Sequence, residues 1–151
     1  MMYNINDETL AVLPVNRNNC EIIEKTTNLL IKCSSLEVIE YSCQYFGVQY
    51  KNRINSTYNF IRTRYKAPVV IEDSSRIIFF PLTSPKNDNN LWVSYNNILD
   101  YYPSKWKNET KVKFKNGISI NVPVSFYIFN CQYSKAARLY SSYEVRTSKK
   151  W

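Results

Sequence analysis

Apolar residues along this chain fall into short runs with the two-residue period of strands, interrupted by two stretches with a helical period. Thr9-Leu10-Ala11-Val12-Leu13-Pro14 predicts a first strand stopped by proline. Glu21-Ile22-Ile23-Glu24 and Leu29-Leu30-Ile31 flank Thr26-Thr27-Asn28 and suit a hairpin, although the strongest turn dipeptides are missing. Val69-Val70-Ile71 and Ile77-Ile78-Phe79-Phe80 predict two more strands about the turn Glu72-Asp73-Ser74-Ser75. Residues 83–90 form a polar loop before Leu91-Trp92-Val93, and residues 100–109, with Pro103 and Trp106, follow no period. The clearest hairpin spans Lys111 to Val122. Val112 and Phe114 alternate with Lys111, Lys113 and Lys115, Asn116-Gly117 predicts a type I′ turn, and Ile118, Ile120 and Val122 return on the same period.

The helical stretches are fewer and better signposted. Ser34 followed by Glu37 is a capping-box pattern, and Leu36, Ile39, Cys43 and Phe46 recur at helical spacing up to Gly47. This predicts a helix near 35–46, with Gly47 in the left-handed position after it. Tyr50, Lys51 and Arg53 are then expected in a basic loop beyond that helix. After Pro123, residues Phe126, Phe129, Tyr133, Ala136 and Tyr140 share one stripe and predict a C-terminal helix near 125–141. Residues 146–151 have the composition of a frayed basic tail. The expected fold is α+β, β-rich, a single domain over residues 1–151. The pattern is compatible with either a bent sheet or a partial barrel.

Composition narrows the class. The chain has 151 residues, 44% hydrophobic and 21% charged, enough for one domain with its own core. Its net charge of +8 is unevenly spread. Residues 1–40 hold three Lys/Arg against six Asp/Glu, a net −3, whereas residues 41–151 hold seventeen against six, a net +11. No acidic residue occurs between Glu40 and Glu72, a segment with Lys51, Arg53, Arg62, Arg64 and Lys66 set among five tyrosines. One-sign charge with interleaved rings suits a polyanion, because each cation can displace a condensed counterion. A solvated charged face would leave the same trace. The β-hairpin lysines likewise have two readings, as phosphate contacts or as guards of an exposed or edge strand.

Several chemistries are disfavoured. Two glycines, Gly47 and Gly117, cannot build a glycine-rich phosphate cradle. With no histidine, Cys–His nucleophilic chemistry is excluded, and Cys20, Cys33, Cys43 and Cys131 lack metal-site spacing. Buried thiols are the simpler reading, with no metal or cofactor expected. The adjacent serines and the Glu72-Asp73 pair have cap and turn explanations, so no enzyme is expected. The N-terminus MMYNINDETL is acidic where a signal peptide is basic, and no apolar run reaches membrane-spanning length, so a cytoplasmic protein is expected.

Several of these segments, in order, resemble the ComK competence transcription factor family. The most characteristic run is Ile39-Glu40-Tyr41-Ser42-Cys43-Gln44-Tyr45-Phe46-Gly47-Val48-Gln49-Tyr50-Lys51-Asn52-Arg53. Lys66-Ala67-Pro68-Val69-Val70, Phe79-Phe80-Pro81, Leu91-Trp92, Val112-Lys113-Phe114-Lys115-Asn116 and Val122-Pro123-Val124-Ser125-Phe126 follow. The resemblance implies a bacterial, sequence-specific activator of competence genes that binds paired A/T-rich boxes through the minor groove and associates with itself on the promoter. It also implies an adaptor and Clp proteolysis as partners, through a C-terminal segment that family members carry beyond the part matched by this chain. A short or shortened member is therefore expected to bind DNA, whereas activation and adaptor control are implied for the longer members. A-tract minor grooves are narrow and strongly negative, so arginine can enter them without a unique base code. Charge and position, rather than a family motif, nominate Arg53, Arg62 and Arg64 for insertion, and Lys51, Lys66, Arg76 and Lys113 as phosphate contacts. The alternative is a protein-interaction paralogue that modulates a full-length relative without strong DNA binding of its own.

Overall fold

The computed structural model describes residues 2–148. Nine strands, three α-helices and one short 3-10 turn make an α+β, β-rich fold. The strands are β1 (Thr9–Asn16), β2 (Asn19–Glu24), β3 (Asn28–Ile31), β4 (Val69–Glu72), β5 (Ile77–Pro81), β6 (Trp92–Ser94), β7 (Ile98–Pro103), β8 (Thr110–Phe114) and β9 (Ser119–Val122). The helices are α1 (Ser35–Tyr45), α2 (Tyr50–Ile61) and α3 (Phe126–Ser148). β3-β2-β1-β6-β5-β4 form one antiparallel sheet and β7-β8-β9 a second. Both sheets are open, which decides between the two sheet forms expected.

Both faces of the large sheet are buried along β5 and β6, which is why these strands are near-continuous apolar runs, whereas edge strand β3 is largely exposed. Along β5, Ile77 and Phe79 join a core with Val38, Ile39 and Cys43 of α1 and with Tyr50 and Ile54 of α2. Ile78 and Phe80 turn to the other core, with Val112 and Phe114 of β8 and Phe129, Ala136 and Leu139 of α3. The layers are thus α1 and α2, the six-stranded sheet, and then the small sheet with α3. Helix α2 crosses between layers: its first half packs in the former core and Ile61 in the latter. It lies along β4, the sheet's edge strand, where Thr57 Oγ1 donates to Pro68 O at 2.7 Å.

Local chemistry accounts for α1. Ser34 Oγ accepts from Glu37 N at 3.1 Å and Glu37 Oε1 accepts from Ser34 N at 2.9 Å, the reciprocal pair expected. At the other end, Gly47 takes φ +94°, with Gly47 N donating to Gln44 O and Val48 N to Cys43 O.

Five expectations need correction. Tyr50, Lys51 and Arg53 are not in a loop but begin α2, whose buried stripe includes the polar Arg53 and Thr57. Pro14 does not end β1, because β6 pairs only at Ala11 and Val12 and no ladder bond is asked of the proline there. Residues 98–103 are a strand, its period hidden by a register shift between Ile98 and Asp100. The β8–β9 turn is a three-residue loop in which Gly117 alone is left-handed, φ +95°, whereas type I′ needs two such residues. Helix α3 continues through Arg146 to Ser148, because Tyr143, Glu144 and Arg146 each find partners on neighbouring elements. The remainder of the expected tail, 149–151, lies outside the described residues.

Candidate nucleic-acid interface

A cationic part of the surface is built on the end of α2, the segment 62–66 that follows it, and the facing side of α3. Helix α2 ends at Arg62, which adopts a left-handed backbone, φ 61°, with its N–H donating to Tyr58 O at 2.8 Å. Glycine usually fills that position, and a β-carbon there costs about 1 kcal/mol. Lys66 closes the segment with a second left-handed backbone, φ 45°. Between them, Arg64 stacks over the Tyr58 ring at 3.9 Å from its centre, and Arg62 approaches the same ring at 5.6 Å. Tyr65 is 72% exposed, flanked by the ammonium groups of Lys66 and Lys135 at 5.3 and 5.4 Å.

Helix α3 braces this segment with side chains that donate to main-chain carbonyls. Lys135 Nζ reaches Tyr65 O at 2.9 Å, Arg138 Nη2 reaches Ile61 O at 3.1 Å and Arg146 Nη2 reaches Asn59 O at 3.4 Å. Two of these cations meet the carbonyl end of α2, where the helix dipole favours positive charge. Buried Gln132 donates from Nε2 to both Lys66 O and Pro81 O at 2.8 Å, tying the segment to β5. Burial first, and then the adjacent Lys66 charge, lower the Lys135 ammonium from its ordinary value. Burial leads this shift, and the smaller part due to Lys66 and Arg138 comes from positive neighbours that an incoming anion would offset. Along α3 the cations Lys135, Arg138 and Arg146 face the single acid Glu144.

The nominated residues separate into three places. Arg62, Arg64 and Lys66 come together on the braced segment, and exposed Lys51 stands in the first turn of α2. Arg53 does not reach the surface: it is 6% exposed and its Nη1 donates to Asp73 Oδ1 at 2.8 Å, so it is no longer a candidate for insertion. Arg76 is held by Glu144 at 3.0 Å and lies 5.6 Å from the Tyr143 ring centre. Lys113 is elsewhere. It alternates with Val112 and Phe114, so it points away from α3 on the solvent face of the small sheet. Because β8 is the central strand of that sheet, the edge-guard reading of its lysines is corrected to an exposed face.

Lys135, Arg138 and Arg146 were not nominated from the sequence. Their signal was present in the phase of α3, since positions 135, 138 and 146 lie off the apolar stripe, but the partner of that polar side was hidden with α2. The apolar stripe itself is consumed internally, with Phe129, Ala136 and Leu139 buried. Among the described residues no helix is long and apolar enough to cross a membrane, and no group of three metal-ligating side chains converges.

The fold and this face define a mixed α+β domain presenting a polycationic segment braced by a helix. The ComK protein family model matches residues 1–148, and the chain belongs to the ComK family. The competence transcription factor of Bacillus subtilis (strain 168) is 29% identical over 147 residues, which cover 95% of this chain and 76% of that protein. No solved structure matches.

Proposed function

We propose that this protein is a double-stranded DNA-binding regulator of bacterial competence genes, acting in the cytoplasm at the nucleoid and having no catalytic role. In this reading residues 1–151 act as one DNA-binding domain. Arg62 and Arg64 enter the narrow minor groove of A/T-rich boxes, while Lys51, Lys66, Lys135, Arg138 and Arg146 meet phosphates. Arg53 and Arg76 hold the scaffold, and Lys113 lies outside the footprint. The observation that carries the proposal is the convergence of Arg62, Arg64 and Lys66 with three cations of α3 on one braced segment. Two left-handed basic residues bounding that segment support it, since strained backbone concentrates at working sites. Family membership and the likeness to the Bacillus subtilis competence transcription factor supply the competence context.

The test is fluorescence anisotropy with labelled duplexes carrying two A/T boxes or a G/C-rich control, across a salt series. Tight A/T-selective binding with a steep salt slope is expected. Equal binding to both duplexes reduces the face to general polyanion affinity. No binding at low salt overturns the proposal and favours a partner-dependent paralogue.

Self-association on the promoter is proposed through exposed apolar groups at the start of α3, Phe126, Tyr127 and Ile128, since Phe129, Ala136 and Leu139 farther along the helix are buried. Sedimentation equilibrium showing only monomer at high micromolar concentration removes this part.

A further inference from the structure

A groove runs from the braced segment toward the N-terminal end of α2, and its walls carry cations from three parts of the chain. Its first stretch, about 340 Å³, is lined by Ile54 and Tyr50 of α2, by Arg64 and Lys66, and by Pro85 and Lys86 of the polar loop. Its second, about 350 Å³, is lined by Gln44, Gln49 and Lys51. Tyr50 and Glu40 line both stretches, so the two adjoin. Arg64, Lys66 and Lys86 therefore line the first stretch beside apolar Leu36, Ile54 and Ala67, and Lys51 lines the polar second stretch.

The far wall is rigid in spite of its loop composition. Asn90 is fully buried, and its Oδ1 accepts from Leu82 N at 3.0 Å and Thr83 N at 2.9 Å. Asn90 O accepts from Ser35 Oγ at 3.0 Å, fixing the loop to the start of α1. Asn87 N donates to Ser84 O at 2.9 Å, closing a turn around Lys86. Asp88, the acid nearest Lys86 in the chain, is directed to Arg17 at 3.7 Å. Lys86 thus has a fixed base and an exposed cation.

One acid stands among these cations. Glu40 joins none of the described ion pairs, and burial, then the neighbouring Glu37, raise its carboxyl above the ordinary value. A carboxylate in a cationic channel weakens the channel's attraction for any anion, so it opposes indiscriminate polyanion binding.

We propose that this groove carries one phosphodiester strand of the bound duplex past the inserting segment, with Lys86 and Lys51 meeting successive phosphates and Glu40 restraining non-specific binding. The assignment rests on the DNA-binding reading above. Charge complementarity selects the occupant: four cations on two adjoining stretches, the first of them partly apolar, match a polyanion with closely spaced charges and sugar faces.

The experiment measures duplex affinity and salt slope for the full chain and for Lys86→Ala, Lys51→Ala and Glu40→Gln. Both lysine sites are exposed, so their variants are expected to melt near wild type, and Glu40→Gln is expected to melt no lower. Each lysine variant is expected to weaken binding severalfold and lower the salt slope by about 0.9, one phosphate contact. Glu40→Gln is expected to tighten binding to the A/T duplex and the G/C-rich control alike, by about threefold. If wild type binds the A/T duplex but both lysine variants keep its affinity and slope, the groove assignment fails and the DNA reading stands. If wild type binds no duplex at any salt, both fail together. Equal binding of polyglutamate, with the same loss in Lys86→Ala, overturns the nucleic-acid assignment of the groove in favour of an acidic protein segment.

Discussion

Arg53 Nη1 lies 2.8 Å from Asp73 Oδ1, and this ion pair joins the inner side of α2 to the β4–β5 turn. Tyr143 OH of α3 donates to the same carboxylate oxygen at 2.7 Å, so three elements meet at one atom. The Arg53 side chain is 6% exposed and the Asp73 side chain 53%, an asymmetry that sets the energetics. Removing the acid strands a buried guanidinium, whereas removing the arginine leaves a carboxylate that water can reach. Asp73→Ala should therefore cost about 2–3 kcal/mol, the exposed acid placing it below a fully buried pair. Arg53→Met should cost clearly less and leave duplex affinity unchanged. Urea midpoints and anisotropy on the two variants check this, and equal losses would refute the asymmetry.

The same turn makes the fold sensitive to acid. Burial pushes the Asp73 carboxyl up, but the Arg53 and Tyr143 hydrogen bonds with the Arg53 charge outweigh it and hold the group below its ordinary 3.8. At Glu72 burial also acts upward, and the hydrogen bonds from Ser74 and Ser75 prevail, holding it below 4.5. Groups depressed on folding contribute stability above their unfolded pKa and lose it as pH falls through the folded one. Stability should thus decline as pH drops below about 4, and Glu72→Gln with Asp73→Asn should flatten that decline. Glu40 has the opposite sign: its raised carboxyl opposes folding when ionised and ceases to do so once protonated. Chemical denaturation across acidic pH separates the two, because Glu40→Gln should raise stability near neutrality.

The cysteines divide by burial. Cys20, Cys33 and Cys43 are buried, and burial is the leading cause that pushes the Cys20 and Cys43 thiols up to about 12 and raises Cys33. Since thiolate is the reactive form, these three should be inert in the folded protein at mildly alkaline pH. Cys131 on α3 is only half-buried. A thiol reagent should titrate about one group per native chain and all four in denaturant. Cys131→Ser should abolish the fast phase, and a fast phase that survives it would show that the core around Cys20, Cys33 and Cys43 opens.

How much of this was legible follows from which residues carried periodic signal. The capping box at Ser34 and Glu37, the hairpin around Gly117 and the alternation of β8 were legible because their cause is local. The strands of the large sheet were found as apolar runs, but their order depends on pairings such as Ala11 with Val93, distant in sequence. Helix α2 was hidden because its inward stripe uses Arg53 and Thr57, polar residues whose partners Asp73 and Pro68 lie elsewhere in the chain. That omission carried forward. With Tyr50, Lys51 and Arg53 expected in a loop, Arg53 looked as available as Arg62, and the polar side of α3 had nothing to brace. The basic segment was visible as charge. Which of its cations are free to act was decided by tertiary contacts.

The left-handed residues at the ends of that segment allow stability and function to be separated. Arg62 and Lys66 hold φ values of 61° and 45°, a conformation that glycine adopts without the steric penalty of a β-carbon. Were these positions selected for stability alone, glycine would serve better at the end of α2, where it is the usual residue. Arg62→Gly and Lys66→Gly should each stabilise the fold by about 0.5 kcal/mol, the relief of strain exceeding the added freedom of the unfolded chain. Lys66→Gly also removes a positive neighbour that lowers the Lys135 ammonium. Both variants should lose duplex affinity, Lys66→Gly lowering the salt slope by about 0.9 and Arg62→Gly lowering the preference for A/T over G/C. Thermal melts and anisotropy on the same preparations decide the matter. Gain of stability with loss of binding assigns the strain to function, whereas unchanged binding would make the two cations incidental to the DNA face.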